Sequence, residues 1–370
     1  MHRLTVVQLL PALQSGGVER STLEIADALV RAGHRAVVIS AGGRLLPSLL
    51  ALGAEHITLD IGRKSLWTLR HVPALRRLFL DLGADIVHTR SRLPAWLAWH
   101  ALAGLPAATR PRFVTTVHGL NSPGRYSGVM TYGERVICVS RTVNDYVLEH
   151  YPRTDPGKLR TIPRGIDIAQ FPRRFRPDPR ARAWAREWIP DLADDTPLLL
   201  LPGRGTRLKG HADGLQLLAA LRRSGRPAML WLPGAREAGR EDYLLELEAE
   251  ALRLGVAQAV CLTAPTDRIA DAYAASDLVL QLSRKPEAFG RTVVEALAVG
   301  RPVLGWRHGG VGELLDQLQP AGAVAPFDAQ ALAQAAARLL DQPPHPPATL
   351  PYTLQAMQAS TLKVYDELRR

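Results

Sequence analysis

The sequence predicts two α/β domains, each a parallel sheet covered by helices, and three observations support this. Strand-like apolar runs alternate with amphipathic stretches from one end of the chain to the other, the pattern of repeated βαβ units. The stretch IPRGIDIAQFPRRFRPDPRARAW breaks that alternation near residues 165–180 with proline and arginine. The length of 370 residues exceeds one typical domain of roughly 150 and suits two.

Taken in order, the first half places strands at 4–10, 36–40, 85–88, 113–117 and 135–140. Between the first two, VERSTLEIADALVRAGH sets Leu23, Ala26, Leu29 and Val30 on one helical face, with Gly33 as its stop. The second half alternates strands at 197–201, 228–232, 260–263, 278–283 and 302–306 with helices at 211–224, 242–254, 267–275 and 291–299. Residues 342–351 form a second proline-rich break, and TLQAMQASTLKVYDELRR closes the chain as a helix. The expected domains are 1–168 and 169–350, with 351–370 packing back toward the first, and a cleft between two similar Rossmann-like halves.

Hydrophobic residues at 46% and charged residues at 22% are ordinary for globular domains that need neither disulfide nor structural metal. Cys138 and Cys261 both lie in apolar runs, which predicts reduced, buried thiols and a cytoplasmic setting. The opening MHRLTVVQLLPALQSGG is short, lacks a small-residue cleavage site and runs into a glycine loop, so a first strand is expected in place of a signal peptide. No apolar run reaches about 18 residues, so no membrane-spanning helix is expected. The formal charge of +11 calls for an anionic partner: nucleic acid, a membrane surface or a phosphate-rich substrate. Its spread over the whole chain argues against a nucleic-acid-binding arm.

Two clusters carry chemistry. In RKPEAFGRTVVEALAVGRPVLGWRHGGVGE, Glu287 follows a strand and Glu295 lies about one turn into the next helix. Gly290 opens that helix, where free N–H groups and the helix dipole make an anion site. A diphosphate on the helix start, with one glutamate for ribose hydroxyls and the other for a sugar, fits this arrangement; two solvated glutamates flanking a helix fit the bare spacing equally. In LLLLPGRGTRLKGH a strand runs into a loop with Arg204 and Lys209, cations placed to neutralise a diphosphate. His211 stands where a phosphate-cradling lysine would, so the loop is not a Walker motif.

Together, GRGTRLKG and PEAFGRTVVEALAVGRPV followed by GGVGE resemble the retaining glycosyltransferases of family 4, which have the GT-B fold. SGGVER, TVHG, ICVSRTV and IPRGID extend the resemblance, in order, over residues 5–315. The resemblance implies that Arg204 and Lys209 contact the donor diphosphate, Glu295 the donor ribose and Glu287 the transferred sugar. Phe289 and Gly290 offer backbone amides to sugar and phosphates, Gly16 and Gly17 approach the donor from the first domain, and His118 lies near the reacting sugar. Glu313 falls in a segment that often lines the nucleotide pocket. One departure is Arg164, where the family commonly has Asn, which touches the hinge side of the site.

The family's chemistry implies front-face attack by an acceptor hydroxyl as the nucleotide leaves, with retention and no covalent nucleophile. No D-x-D triplet is present, so neither a metal nor any other cofactor is expected beyond a nucleotide-sugar donor. The acceptor belongs with the first domain, where GRKSLWTLRHVPALRRLFLDLG sets Leu66, Leu69, Val72, Leu75, Phe79 and Leu82 on a rough helical period. Arg63, Lys64, Arg70, Arg76 and Arg77 surround that face, and Trp67 suits a lipid interface.

The wording of RKPEAFGRTVVEAL, HGGVGE and TVHGLNSPGRYSGVMTYGERVICVS is similar to that of Gram-negative lipopolysaccharide core glycosyltransferases. This implies a glycolipid or oligosaccharide acceptor on the cytoplasmic face of the inner membrane, a UDP-linked hexose donor, and no nucleic-acid partner. A sugar-nucleotide epimerase of similar architecture is the nearest rival, and a non-catalytic basic membrane- or nucleic-acid-binding protein the rival from another class. A dinucleotide oxidoreductase is disfavoured, since Gly16-Gly17-Val18-Glu19-Arg20 is not G-x-G-x-x-G.

Overall fold

The protein is seen in a computed structural model that describes residues 3–14, 16–174, 176 and 178–369. Ser15 of the glycine loop, Phe175 and Pro177 of the proline- and arginine-rich stretch, and Arg370 of the closing helix lie outside the described residues. The chain divides into two compact units, Met1–Gly165 with Leu354–Arg370, and Ile166–Thr353.

The first unit holds strands β1 (Thr5–Leu9), β2 (Arg35–Ser40), β3 (Glu55–Thr58), β4 (Ile86–Thr89), β5 (Arg112–Val117), β6 (Arg135–Cys138) and β7 (Leu159–Thr161). Its helices are α1 (Gly17–Arg31), α2 (Leu46–Ala51), α3 (His71–Asp81), α4 (Arg92–Ala103), α5 (Arg125–Gly128) and α6 (Arg141–His150). The second unit holds α7 (Pro179–Ala185), β8 (Leu198–Leu200), α8 (His211–Arg223), β9 (Met229–Pro233), α9 (Glu241–Arg253), β10 (Val260–Thr263), α10 (Ile269–Ala275) and β11 (Leu278–Gln281). It continues with α11 (Arg291–Val299), β12 (Val303–Trp306), α12 (Gly309–Leu318), β13 (Ala323–Val324) and α13 (Ala329–Asp341). The closing helix, α14 (Leu354–Asp366), belongs to the first unit, where it packs beside α1.

Both sheets are parallel, in the orders β3-β2-β1-β4-β5-β6-β7 and β10-β9-β8-β11-β12-β13. Parallel strands need crossovers, and the crossover helices cover both faces, so the strands read as continuous apolar runs. In the second unit Leu198 and Leu200 join one apolar cluster with Val279 and Val303, while Leu199 and Leu201 join another with Leu230, Leu280 and Leu304.

Three strands absent from the sequence expectation, β3, β7 and β13, all lie at sheet edges. They are two to four residues long and partly exposed, so they carry no apolar run to find. In α1 the buried stripe is Ser21, Thr22, Ile25, Ala26, Ala28 and Leu29, while Leu23 and Val30 sit half-buried at its flank. Cys138 is buried, but Cys261 is only half-buried because β10 is an edge strand; both thiols are free. Burial pushes the Cys138 thiol up to about 12 and that of Cys261 up to about 11. The basic segment also differs from expectation. Residues 66–70 form a 3-10 turn ahead of α3; Leu75 and Phe79 are buried, while Leu69 and Trp67 face out.

The return of α14 is anchored by a polar contact inside the first core. Tyr365 is fully buried, and its hydroxyl lies 2.7 Å from His88 Nδ1, while His88 Nε2 lies 2.6 Å from Thr116 Oγ1. Burial, followed by the charges of Arg90 and Arg164, holds His88 well below the usual histidine range, so the ring is neutral. A neutral ring donates from one nitrogen and accepts at the other, and two hydroxyls satisfy both. Tyr365→Phe leaves one ring nitrogen without its partner in a dry interior. The expected cost is about 1–3 kcal/mol, read as an earlier urea transition in tryptophan fluorescence.

Candidate functional site

In an open parallel sheet, a crevice forms at the carboxyl ends of strands where the strand order reverses. In the second unit the order reverses between β8 and β11. The loop after β8 carries Arg204 and Lys209, and the loop after β11 carries Glu287, so the two clusters singled out in the sequence meet there. Lys209 Nζ lies 2.6 Å from Glu287 Oε1. Ser283 Oγ donates to the same carboxylate oxygen at 2.5 Å, and Gln281 Nε2 donates to the other at 3.3 Å. His308 Nε2 lies 2.8 Å from the Ser283 carbonyl, to which it donates, closing the cluster from the third loop.

Close backbone approach holds these loops in register. Gly210 sits at φ 74°, and a Cβ there would lie 1.9 Å from the Leu282 carbonyl oxygen, which keeps the Lys209 loop against the end of β11. The Leu208 carbonyl accepts from Arg284 N at 2.8 Å across the same junction. Gly310 N donates to the Glu287 carbonyl at 2.7 Å, so the start of α12 is pinned to the Glu287 loop. Gly290, at φ 106°, supplies the left-handed turn that starts α11.

Burial pushes the Glu287 carboxyl up, but the Lys209 charge, its hydrogen bond and that of Ser283 outweigh this and hold it below the usual carboxylate range. The group is therefore an anion at neutral pH. Glu295, in the second turn of α11, is almost fully buried and accepts from the Tyr273 hydroxyl at 2.9 Å, with Arg291 Nε at 3.8 Å from its other oxygen. The Phe289 ring packs into the core edge-on to Tyr352, with centroids 5.5 Å apart, which leaves only its backbone to face a ligand. Glu313 is half-buried on α12. Arg204 is exposed and, among the described residues, makes no ion pair, so the structure joins Lys209 and not Arg204 to the Glu287 carboxylate.

The remaining residues lie in the first unit. Gly16 and Gly17 form the start of α1, with open space over Gly17. His118 follows β5, and its Nδ1 accepts from the Arg164 guanidinium, which also bonds Ser21 Oγ. Arg164, the departure from the family pattern, is thus tied to residues of its own unit. Arg90 is buried beside it, with Nε and Nη2 at 2.9 and 2.6 Å from Gln8 Oε1.

The sequence reading missed Gln281, Ser283, His308 and Tyr273. One signal was available: Gln281 and Ser283 are polar residues two apart at the end of the apolar strand LVLQLS, hence on one face.

Residues 15–170 match the family model described as Glycosyltransferase Family 4, and residues 184–351 match that described as Glycosyl transferases group 1. Over 93% of its length the chain is 26% identical to the glycogen synthase of Mycobacterium tuberculosis, spanning 87% of that protein. Over 61% of its length it is 36% identical to the D-inositol 3-phosphate glycosyltransferase of Xylanimonas cellulosilytica, spanning 56% of that protein. The solved structure of a glycosyltransferase from Rickettsia africae aligns with 100% of the chain and 99% of its own, with a TM-score of 0.84 and 26% identity. Anabaena HepE, solved in complex with UDP, aligns with 98% of this chain and 100% of its own at a TM-score of 0.83 and 20% identity, a likeness of fold.

The depressed Glu287 carboxyl makes a testable statement about pH. Its pairing contributes stability above the ordinary value of 4.5 and loses it as pH falls through the lower folded value. In Lys209→Met, burial is opposed only by the Ser283 hydrogen bond and the His308 charge, so the carboxyl shifts upward. Thermal unfolding should show the largest gap between wild type and variant at neutral pH, narrowing below about 4.5. A gap that does not change with pH would break the assignment of the pair.

Proposed function

The chain belongs to the glycosyltransferases, with a family 4 domain followed by a group 1 domain, and on that premise we propose that it is a retaining, metal-independent hexosyltransferase. The observation that carries the reading is the meeting of Lys209 and Glu287 where the order of the second sheet reverses. A nucleoside diphosphate hexose supplies a diphosphate for Lys209, Arg204 and the start of α11, ribose hydroxyls for Glu295, and sugar hydroxyls for Glu287. Glu313 borders the nucleotide. The complex of HepE with UDP supports a UDP-linked donor as the first candidate.

The chemistry follows from charge. As the anomeric carbon–oxygen bond breaks, negative charge grows on the departing diphosphate, and a fixed ammonium and helix N–H groups stabilise it. Lys209 has three N–H donors, so it can meet the diphosphate without leaving Glu287. Glu287, held as an anion, orients the sugar and stabilises positive charge near the anomeric centre. The acceptor hydroxyl attacks from the face the nucleotide leaves and passes its proton to the departing diphosphate, while positioning supplies much of the rate. Gly16, Gly17 and His118 carry the roles toward the donor that the family resemblance implies.

The acceptor in this reading is a glycolipid or oligosaccharide of lipopolysaccharide core assembly, met by a peripheral protein on the cytoplasmic face of the inner membrane. Trp67 is 76% exposed and Leu69 52%, beside Arg63, Lys64 and Arg70, a combination that suits an anionic lipid surface. Among the described residues, no helix is long and apolar enough to cross a membrane.

Thermal shift and nucleotide release across UDP-, GDP- and ADP-hexoses test the donor. One donor should stabilise the protein selectively, and Lys209→Ala should abolish the effect; no response to any donor would overturn the reading. Lys209→Ala and Glu295→Ala should each lower turnover by about 100-fold or more. His118→Ala tests the unit 1 role separately and should lower turnover without removing the donor-induced thermal shift. Flotation with anionic vesicles at low salt should recover the protein with the lipid, and Trp67→Ala should reduce that recovery. Absence of binding would remove the membrane half of the proposal.

A further inference from the structure

One of the larger cavities among the described residues is lined by the first unit alone and includes no residue of the Lys209–Glu287 cluster. It occupies about 690 Å³ on the flank of the first unit, within the roughly 300–1,000 Å³ of small-molecule sites. Trp99, Tyr132 and Tyr151 give it aromatic walls, and Arg125, Arg153 and Lys158 line it with positive charge. Among the described residues none of these three cations has an ion pair or a side-chain hydrogen bond. The one carboxylate in the lining, Asp155, accepts from Gly157 N at 2.8 Å through one of its oxygens.

The aromatic wall is held in place from behind. Trp99 packs against Tyr132 with ring centroids 5.5 Å apart and against Trp96 at 5.7 Å, and Trp96 Nε1 donates to the Tyr126 carbonyl at 2.9 Å. Tyr132 is nonetheless 43% exposed, a large aromatic surface left open above these contacts. A second cavity of about 350 Å³ is also lined by Trp99 and Tyr132, so the aromatic pair borders both.

The position separates this groove from the site at the strand ends. His118 follows the carboxyl end of β5, whereas Tyr132 precedes the start of β6 and the Tyr151–Lys158 segment precedes β7. In a parallel sheet these are opposite edges, about 15–20 Å apart at about 3.3 Å per residue.

We propose that this groove binds a phosphorylated saccharide, with a sugar ring stacked on the Trp99–Tyr132 wall and its phosphate among Arg125, Arg153 and Lys158. Unpaired cations call for an anion and give little to a neutral ligand. A bare anion has no use for a preformed aromatic wall, while a pyranose ring presents C–H faces that cover one. The groove stands on the first unit alone and goes beyond the donor assignment, so either can fail without the other.

The test uses the full chain, with glucose 6-phosphate and mannose 6-phosphate as probes and glucose, inorganic phosphate and UDP as controls, read by saturation-transfer NMR and calorimetry. A sugar phosphate should bind at least tenfold more tightly than the neutral sugar and inorganic phosphate. Arg153→Ala/Lys158→Ala should weaken it at least tenfold, as should Tyr132→Ala, with the donor-induced thermal shift unchanged in the double variant. No binding of either sugar phosphate, binding indifferent to the double variant, or equal binding of inorganic phosphate or UDP would overturn the proposal. Vesicles carrying a phosphorylated glycolipid separate the two sources of such a headgroup. If the double variant floats less and the sugar phosphate competes, the ligand is presented by a membrane. If flotation is unchanged while the free sugar phosphate binds, it is a soluble ligand.

Discussion

Leu198 to Leu201 send successive side chains to opposite faces of the second sheet, and each face has its own apolar cluster to receive them. A sheet buried on both sides has no wet face, so its strands run parallel and every return crosses over through a helix. That arrangement gathers the loops leaving β8, β11 and β12 at one edge. It also opens a crevice where the strand order turns back on itself between β8 and β11. Residues far apart in sequence are thereby delivered to one place by the packing of leucines and valines that touch no ligand.

The loops then hold one another. Gly210 allows the Lys209 turn to lie against the Leu282 carbonyl, and Gly310 allows α12 to bond the Glu287 carbonyl. The carboxylate between them is costly to bury, and Lys209, Ser283 and Gln281 offset that cost with one charge and two hydrogen bonds. A site assembled this way has its polar groups aimed before any ligand arrives, which spares reorganisation at the moment of reaction.

The first unit repeats the architecture with a different electrostatic balance. Arg90 is buried on a carboxamide oxygen and, among the described residues, no carboxylate is bonded to it, and Arg164 turns to Ser21 and His118. On the flank, Arg125, Arg153 and Lys158 stand around an aromatic wall without ion pairs among the described residues. These five cations are a small part of the 46 arginines and lysines, which are spread along the chain. Tyr365 of α14, bonded to His88, fastens the end of the chain into this unit and shields that histidine from water.

The sequence by itself determined the fold class and the central strands, and it marked the loops that carry Lys209 and Glu287. Double-sided burial writes long apolar runs, and the loops between them bear glycines and charges in a fixed order. The edge strands β3, β7 and β13 were not legible, because a short strand with one neighbour needs little apolar surface. Nor was the half-exposed state of Cys261 on edge strand β10, or the outward turn of Leu69. Tertiary structure alone decided that Lys209 meets Glu287 while Arg204 stays exposed, that Gln281 and Ser283 complete the carboxylate's shell, and that Arg164 bonds His118. Periodicity reports which face of an element is dry. It carries no information about which two loops a strand order will bring within hydrogen-bonding distance, because that depends on contacts made by every element between them.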